Sequence, residues 1–586
     1  MTPAQTLSKI FFEFSYYNAM HNIPFKPRAY ELASESINAL GDEVEQAWQS
    51  GGIKQLKELP GIGASIAEKI DEYFRTGHVK SYEKIKKEFP VDIWGISRIE
   101  GIGPKHIYDL YKHLKVKNLA DLKKALLAGK VKNIPHWGEK SQAKLIKQLQ
   151  LFEKSAGRML LGNILPVADD LLAQLKHIKG VERCAYAGSI RRRQETCGDI
   201  DLLATGKNGK KIIDAFTKLP AVETIHVIGS TKASVRLKIG IDADLRVVKD
   251  KVYGSALQYF TGDKRHNVLL RELALKKGYS LNEYGLFKFK NRSRYATHDS
   301  RLGSLVVCKT EEAIYKKLGM DTPPPEIRAG EDEIEAAQNH TLPNLIPYGS
   351  VKGDLQIQTN WSDGNSSIEE MAKAAKNVGL EYIAVTDHTK SLTIAHGLDE
   401  KRLTKQAKEI DALNKQLRGF KILKGAECDI LKDGSLDLTS LARSKLDFVG
   451  ISIHSYFDLS KSAQTKRVIK AMSQPHIHCL FHPTCRLIGK REAIQLDMDE
   501  ILATAKKYHV LLEINCMPDR MDLNDRWTRS AVKAGVKLVI NTDGHAPEHF
   551  KLLHLGEAIA RRGWAEKSDI INTKNLHQFL NWINKK

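Results

Sequence analysis

The chain has 586 residues, too many for one compact core, so three or four domains are expected. Lys plus Arg is 91 against 70 for Asp plus Glu, a formal charge of +21, which points to a polyanionic partner; a basic soluble protein without one is the plainer alternative. With 42% apolar residues, no apolar run of bilayer length, no signal-type N-terminus and seven scattered cysteines (184, 197, 308, 428, 479, 485, 516), the sequence argues against a membrane span, a secretory leader and a disulfide framework. The absence of a CxxC pair argues against a structural zinc knuckle, and the expected setting is the cytoplasm.

Residues 1 to about 150 read as short helices joined by glycine-containing turns and are dense in lysine. Two segments form an internal pair, "LKELPGIGASIAEKIDEYF" and "ISRIEGIGPKHIYDLYKHL". Each sets a Gly-Ile-Gly turn (Gly61 and Gly63; Gly101 and Gly103) ahead of a helix. The glycines permit a tight turn and leave backbone N–H groups at a helix N-terminus, where they can take a phosphate oxygen without reading a base. One copy could be an ordinary helical hairpin. Two copies in a lysine-rich region favour binding to the nucleic-acid backbone. The pattern resembles the helix-hairpin-helix motif. A third segment has His136-Trp137-Gly138 in the turn and, without the first glycine, is the weaker phosphate site.

From about 155 to 320 strand-like runs ("DIDLLAT", "ASVRLKI", "DADLRVV") alternate with helical segments. In "AYAGSIRRRQETCGDIDLLATG", Asp199 and Asp201 stand two apart on a strand, so both carboxylates face one side. Like charges that close are unfavourable unless a cation lies between them, and hard oxygen ligands suit Mg²⁺. Alone, the pair is better read as part of a solvated edge strand. The "GSIRR" element ten residues upstream shifts the balance, because a glycine, a hydroxyl and guanidiniums suit a polyphosphate. "VRLKIGIDADLRVV" offers a third carboxylate, Asp242 or Asp244; alternation puts both on one face and does not choose.

GSxRR followed by GDIDLL resembles the signature of the nucleotidyltransferases of the DNA polymerase X family. The resemblance selects Asp244, the aspartate directly before Leu-Arg-Val-Val, and makes Asp242 a turn or supporting residue. It implies that Asp199, Asp201 and Asp244 bind two Mg²⁺ (or Mn²⁺) ions. It places Arg158, Gly188, Ser189, Arg192 and Gly198 around the triphosphate, and Tyr259, Phe260 and Gly262 along the sugar. Asn267 would face the minor-groove edge of the nucleotide and Arg271 the template. Lys69 stands where such enzymes carry a Schiff-base lysine for deoxyribose phosphate removal, although Ser65 replaces a usually basic neighbour and a solvated helix lysine explains it equally well. The implied partners are gapped or nicked DNA and deoxynucleoside triphosphates, and a monomer is expected.

The segment 321–346, rich in Pro and acid, reads as a connector. Beyond it, short apolar strands alternate with helices, each strand ending in a polar motif, the usual place for sites in β/α folds. This part resembles the PHP (polymerase and histidinol phosphatase) domain, a three-metal phosphoesterase family. Its ligand pattern is matched by Asp363, His388, Glu427, His454, His482, Asp543 and His545. The family pattern opens Asp-Leu-His-x-His; this chain has Asp354-Leu355-Gln356-Ile357-Gln358. Amide oxygens are weak ligands for Zn²⁺ or Mn²⁺. By family geometry one site keeps only Glu427 and Asp543, while the sets Asp363–His388–His545 and Glu427–His454–His482 stay whole. A weak or lost 3′–5′ exonuclease is expected.

The expected architecture is thus multidomain, α+β and α/β. Its parts are a helical lyase-like domain (1–90), a second helix-hairpin-helix domain (91–154), a nucleotidyltransferase palm (155–250), a helical thumb (251–320), the connector, and a (β/α)7-like PHP barrel (347–586). The expected function is gap-filling DNA synthesis in repair. The alternatives are a phosphoesterase working through the PHP domain and a non-catalytic DNA-binding scaffold.

Overall fold

The computed structural model describes residues 3–584 apart from 42, 100, 156, 290–302 and 308. The chain divides into two compact units, Met1–Ala156 with Gly489–Glu492, and the remainder. Among the described residues no helix is long and apolar enough to cross a membrane.

The first unit is helical. In the first repeat the turn leads into helix Ala64–Thr76, which buries Ile66, Ala67 and Ile70, a 3–4 spacing that puts them on one face. In the second it leads into Pro104–Leu114, which buries Ile107 and Leu110. Gly61 (φ 73°) and Gly101 (φ 88°) take left-handed conformations. Ile62 and Ile102 plug the core beneath, and Gly63 and Gly103 cap the following helices. The third turn has the same backbone logic: His136 takes φ 69°, Trp137 is buried, and helix Glu139–Ser155 follows.

The second unit begins with a five-stranded sheet in the order Val181–Tyr186, Asp199–Gly206, Asp242–Val248, Lys232–Leu237, Val222–Ile228. The Asp199–Gly206 and Asp242–Val248 pair is parallel and its neighbours are antiparallel. Along Asp242–Val248 burial alternates strictly, so Ala243, Leu245 and Val247 enter the core while Asp242, Asp244 and Arg246 face outward. Helices Leu161–His177 and Gly209–Phe216 share that core. The next region pairs helices Tyr253–Thr261 and Lys264–Lys276 with a three-stranded antiparallel sheet, Tyr279–Asn282, Gly285–Phe289 and Gly303–Val307. The segment expected as a connector carries helix Glu333–Gln338 and a fully buried Arg328, which donates to Glu311 at 2.6 Å. Arg191 donates to the same carboxylate. Burial opposes ionisation of Glu311, yet the two guanidiniums bring its pKa down to about 2.

Seven parallel strands form the C-terminal barrel in sequence order: Gly353–Ile357, Tyr382–Val385, Lys421–Asp429, Phe448–Ser452, Cys479–Leu480, Leu511–Asn515 and Leu538–Asn541. Gln358 N–H donates to Gly544 O (2.9 Å) and Gly544 N–H to Gln356 O (3.1 Å), bringing the last strand's end onto the first. The strands are buried on both faces; Tyr382–Val385 is apolar throughout, while Gly353–Ile357 and Leu511–Asn515 also bury Asp354, Gln356, Glu513 and Asn515. Asp354 is fully buried at the closure and accepts from the Thr542 hydroxyl (2.5 Å) and N–H (3.2 Å). Burial pushes its carboxyl up to about 7.

Candidate active sites

The parallel register sets Asp199 opposite Asp242 and Asp201 opposite Asp244. Asp242 is half-exposed and held by Arg236 (2.9 Å) and His226 (3.3 Å), so it is already neutralised by fixed partners. Asp244 accepts from Ser234 Oγ (2.5 Å) and pairs with Lys232 (3.0 Å). Burial, then the neighbouring Asp199 and Asp244 charges, push Asp201 up to about 7; burial and Asp244 also raise Asp199. Mutual repulsion of this kind is what a divalent cation relieves, so the donor set fits one.

An open cleft of about 450 Å³ lies beside these aspartates. It is lined by Arg158, Gly188, Ser189, Arg192, Gly198 and Phe260 of the expected set, and by Gln194 and Asp263, which the sequence did not single out. Arg158 is tied to Thr196, donating to its Oγ1 (3.0 Å) and carbonyl (2.6 Å). Arg192 donates to the Thr261 carbonyl and lies 4.0 Å from Asp263. Gly188 has φ 56°, and a Cβ there would stand 2.0 Å from Asp201 Oδ2, so glycine lets the carboxylate sit against the chain. Phe260 is packed edge-on to Tyr259 and lies under Arg246, 4.5 Å from ring centre to guanidinium. Gly262 ends the helix carrying both rings. Asn267 is set back, donating to the Tyr259 carbonyl and accepting from Gln258, and Arg271 Nε donates to the Asn267 carbonyl.

Lys69, in the first unit, is half-buried, its Nζ 2.8 Å from Ser65 Oγ and 5.9 Å from the Tyr30 ring centre. Burial lowers its pKa, against the pull of Glu68 and Glu72.

At the strand ends of the barrel, Asp363, His388 and His545 bring ligand atoms together, and His388, Glu427 and His454 form a second group. Glu427 is central. His482 Nε2 lies at 3.0 Å, His388 Nδ1 at 3.3 Å and His454 Nε2 at 3.4 Å from its oxygens. Burial opposes its ionisation, but the imidazoles hold its pKa well below the usual range. His454 is pushed up to about 9: burial works against this, and Asp429 and Glu427 outweigh it. Imidazoles converging on a carboxylate fit a cation in either group.

The position framed by the two glutamines does not fit. Gln358 Nε2 donates to Glu427 Oε2 at 2.8 Å, turning a donor where a ligand should present a lone pair. Asn515 donates to Asp543 (3.2 Å) and toward Gln356 Oε1 (3.4 Å). Arg520 stands 3.4 Å from Asp543. Asn515 and Arg520 were not anticipated, because neither is a metal-ligand type and both lie far along the chain.

A carboxylate-bearing palm sheet joined to a barrel with clustered imidazoles defines a nucleotidyltransferase coupled to a phosphoesterase-type domain. Family models match a helix-hairpin-helix domain at residues 2–79, a DNA polymerase beta thumb at 256–329 and a PHP domain at 354–516. The chain is 34% identical over 555 residues to the DNA polymerase/3′-5′ exonuclease PolX of Bacillus subtilis (strain 168), covering 94% of each. It is similar to DNA polymerase lambda of Rattus norvegicus, 24% identical over 50% of this chain and 53% of that one. The corresponding figures for DNA polymerase lambda of Arabidopsis thaliana are 26%, 46% and 52%. The chain belongs to the bacterial family X DNA polymerases with a C-terminal PHP domain.

Proposed function

We propose that the chain is a DNA-directed DNA polymerase that fills short gaps in DNA using deoxynucleoside triphosphates. The observation that carries this is the set Asp199, Asp201 and Asp244 on two paired strands beside an arginine-lined cleft. These carboxylates would hold Mg²⁺ or Mn²⁺, which when bound activates the primer 3′-hydroxyl and stabilises the departing pyrophosphate. Arg158 and Arg192 bring fixed positive charge to the triphosphate, and Ser189 a hydroxyl. Phe260, braced by Tyr259 and Arg246, walls the sugar and excludes a 2′-hydroxyl. Asn267 and Arg271, on the helix behind, face the base and the template strand. The turns at Gly61, Gly63, Gly101 and Gly103 hold DNA phosphates by backbone N–H groups.

The barrel binds metal, Zn²⁺ or Mn²⁺, at the groups containing His388 and works weakly or not at all as a 3′–5′ exonuclease, because the Gln356–Gln358 position is filled by amide donors. Lys69 acts as a lyase nucleophile, its half-buried place favouring the neutral amine. Borohydride trapping on an abasic 5′-end, present in the parent and absent in Lys69→Ala, is the expected result; equal trapping in both removes Lys69 from the role. One labelled gapped duplex, incubated with Mg²⁺ and then Mn²⁺, tests the whole reading: extension with little degradation is expected, and degradation without extension favours the phosphoesterase.

A further inference from the structure

Arg486 lies on the barrel loop that follows His482, and its guanidinium forks onto Glu195 of the palm, with Nη1–Oε1 at 3.3 Å and Nη2–Oε2 at 2.7 Å. The arginine side chain is only 12% exposed and the glutamate 34%. From the barrel side the arginine is preset: Nε donates to the Arg520 carbonyl (2.9 Å) and Nη2 also to the Met521 carbonyl. Thr484 ties the same loop to Asp522 by its N–H (2.9 Å) and hydroxyl (2.8 Å). An ordinary surface ion pair contributes little, since holding two long side chains opposes it. Here the fork is bidentate, partly desolvated and preorganised.

What Glu195 leads into is the wall of the nucleotide cleft. Its carbonyl accepts Leu161 N–H at 2.9 Å, and Leu160 and Met159 pair with Thr196 and Cys197. This bridge is two residues long on each side, too short to be stable alone. It carries Arg158, which is tied to Thr196, and runs through Gly198 into Asp199. A second contact braces it. Gly162 packs so closely on the barrel that a Cβ there would lie 2.6 Å from Pro518 Cγ and 2.9 Å from Leu555 Cδ1.

We propose that Arg486 of the barrel is a positioning residue for nucleotide addition, clamping the Glu195–Thr196 segment so that Arg158 faces the triphosphate. The proposal rests on reading the Arg158–Arg192 cleft as the triphosphate site. It also gives the barrel a role that does not depend on its own metal chemistry, and so a reason to persist where its ligand set is altered.

The test is single-nucleotide extension of a one-nucleotide gap by the full chain, with KM for the incoming nucleotide and kcat measured separately. Arg486→Met and Glu195→Ala are each expected to raise KM about tenfold while kcat stays within about threefold. Glu195→Ala leaves every barrel contact of Arg486 intact, so it guards against a folding effect of the first variant. The double variant should match either single one, because both remove the same contact. Arg486→Lys should recover part of the loss, keeping the charge without the fork. Parental KM in both single variants, a fall in kcat at unchanged KM, or additive losses in the double variant would each overturn the proposal. Arg158→Ala separates the two readings: if it raises KM while the Arg486 and Glu195 variants do not, only the positioning role fails. If Arg158→Ala itself leaves KM unchanged, the triphosphate reading fails.

Discussion

The palm and the barrel both gather acidic side chains at the ends of parallel strands, and they neutralise them differently. In the palm, burial first and then the charges of Asp199 and Asp244 raise Asp201, and burial followed by Asp244 raises Asp199. In the barrel, Glu427 receives three imidazoles and an amide, and Asp543 receives Asn515 and Arg520. The first arrangement favours cations taken from solution; the second supplies much of its own compensation. Residue type alone does not distinguish a metal centre from a satisfied polar cluster. The direction in which each neighbour offers donors or lone pairs does.

The largest effect belongs to the palm. Asp201→Ala or Asp244→Ala should reduce primer extension by at least about 10³-fold with gapped-DNA affinity changed less than about threefold, measured by gel extension and fluorescence anisotropy. Near-parental extension in either would place the chemistry elsewhere. Gly188→Ala should lower extension by about 10²-fold, since its methyl displaces the Asp201 carboxylate. Parental activity there would mean that the carboxylate has room to move. In the barrel the contrast runs the other way. Gln356→His with Gln358→His should raise Mn²⁺-dependent 3′–5′ degradation about tenfold, and His454→Ala in that background should remove the gain. Strong degradation by the parent, or no gain in the variant, breaks the comparison.

The smallest effect is thermodynamic. Asp201 has its folded pKa raised to about 7, so the unfolded chain ionises first as pH rises and the folded state loses stability between about pH 4 and pH 7. Without divalent ions, the Tm difference between Asp201→Asn and the parent should widen in favour of the variant by a few degrees over this window. Mg²⁺ should close it. A difference independent of pH would mean that Asp201 is already paired by a fixed cation.

Much of this was legible in the chain itself. Asp199 and Asp201, two apart before an apolar run, declared a strand with one acidic face, and the Gly-Ile-Gly repeats declared their turns. Five of the seven barrel strands stood out as short apolar segments leading into polar motifs, and Gly353–Ile357 by the alternation of Gln356 and Gln358. Cys479–Leu480 did not, because two residues carry no period, and only pairing with both neighbours makes them a strand. His136 shows a limit of residue identity: it takes the left-handed conformation of Gly61 and Gly101, and the Trp137 that follows it is buried as Ile62 and Ile102 are. Alternation left Asp242 and Asp244 equivalent. In the fold both are engaged, Asp242 by Arg236 and His226 opposite Asp199, and Asp244 by Ser234 and Lys232 opposite Asp201.

By itself the sequence determined the local chemistry: which positions carry carboxylates, imidazoles and glycine turns, and that amides stand at Gln356 and Gln358. These follow from residue type and from periods of a few residues, and so survive in a linear string. The tertiary structure alone decided what meets across long separations. Gln358 reaches Glu427, Asn515 reaches Asp543, and Arg486 reaches Glu195 across 291 positions. No short-range period encodes such pairs; they exist because closing the barrel and packing it on the palm bury a common core, which fixes the side chains on its rim against one another.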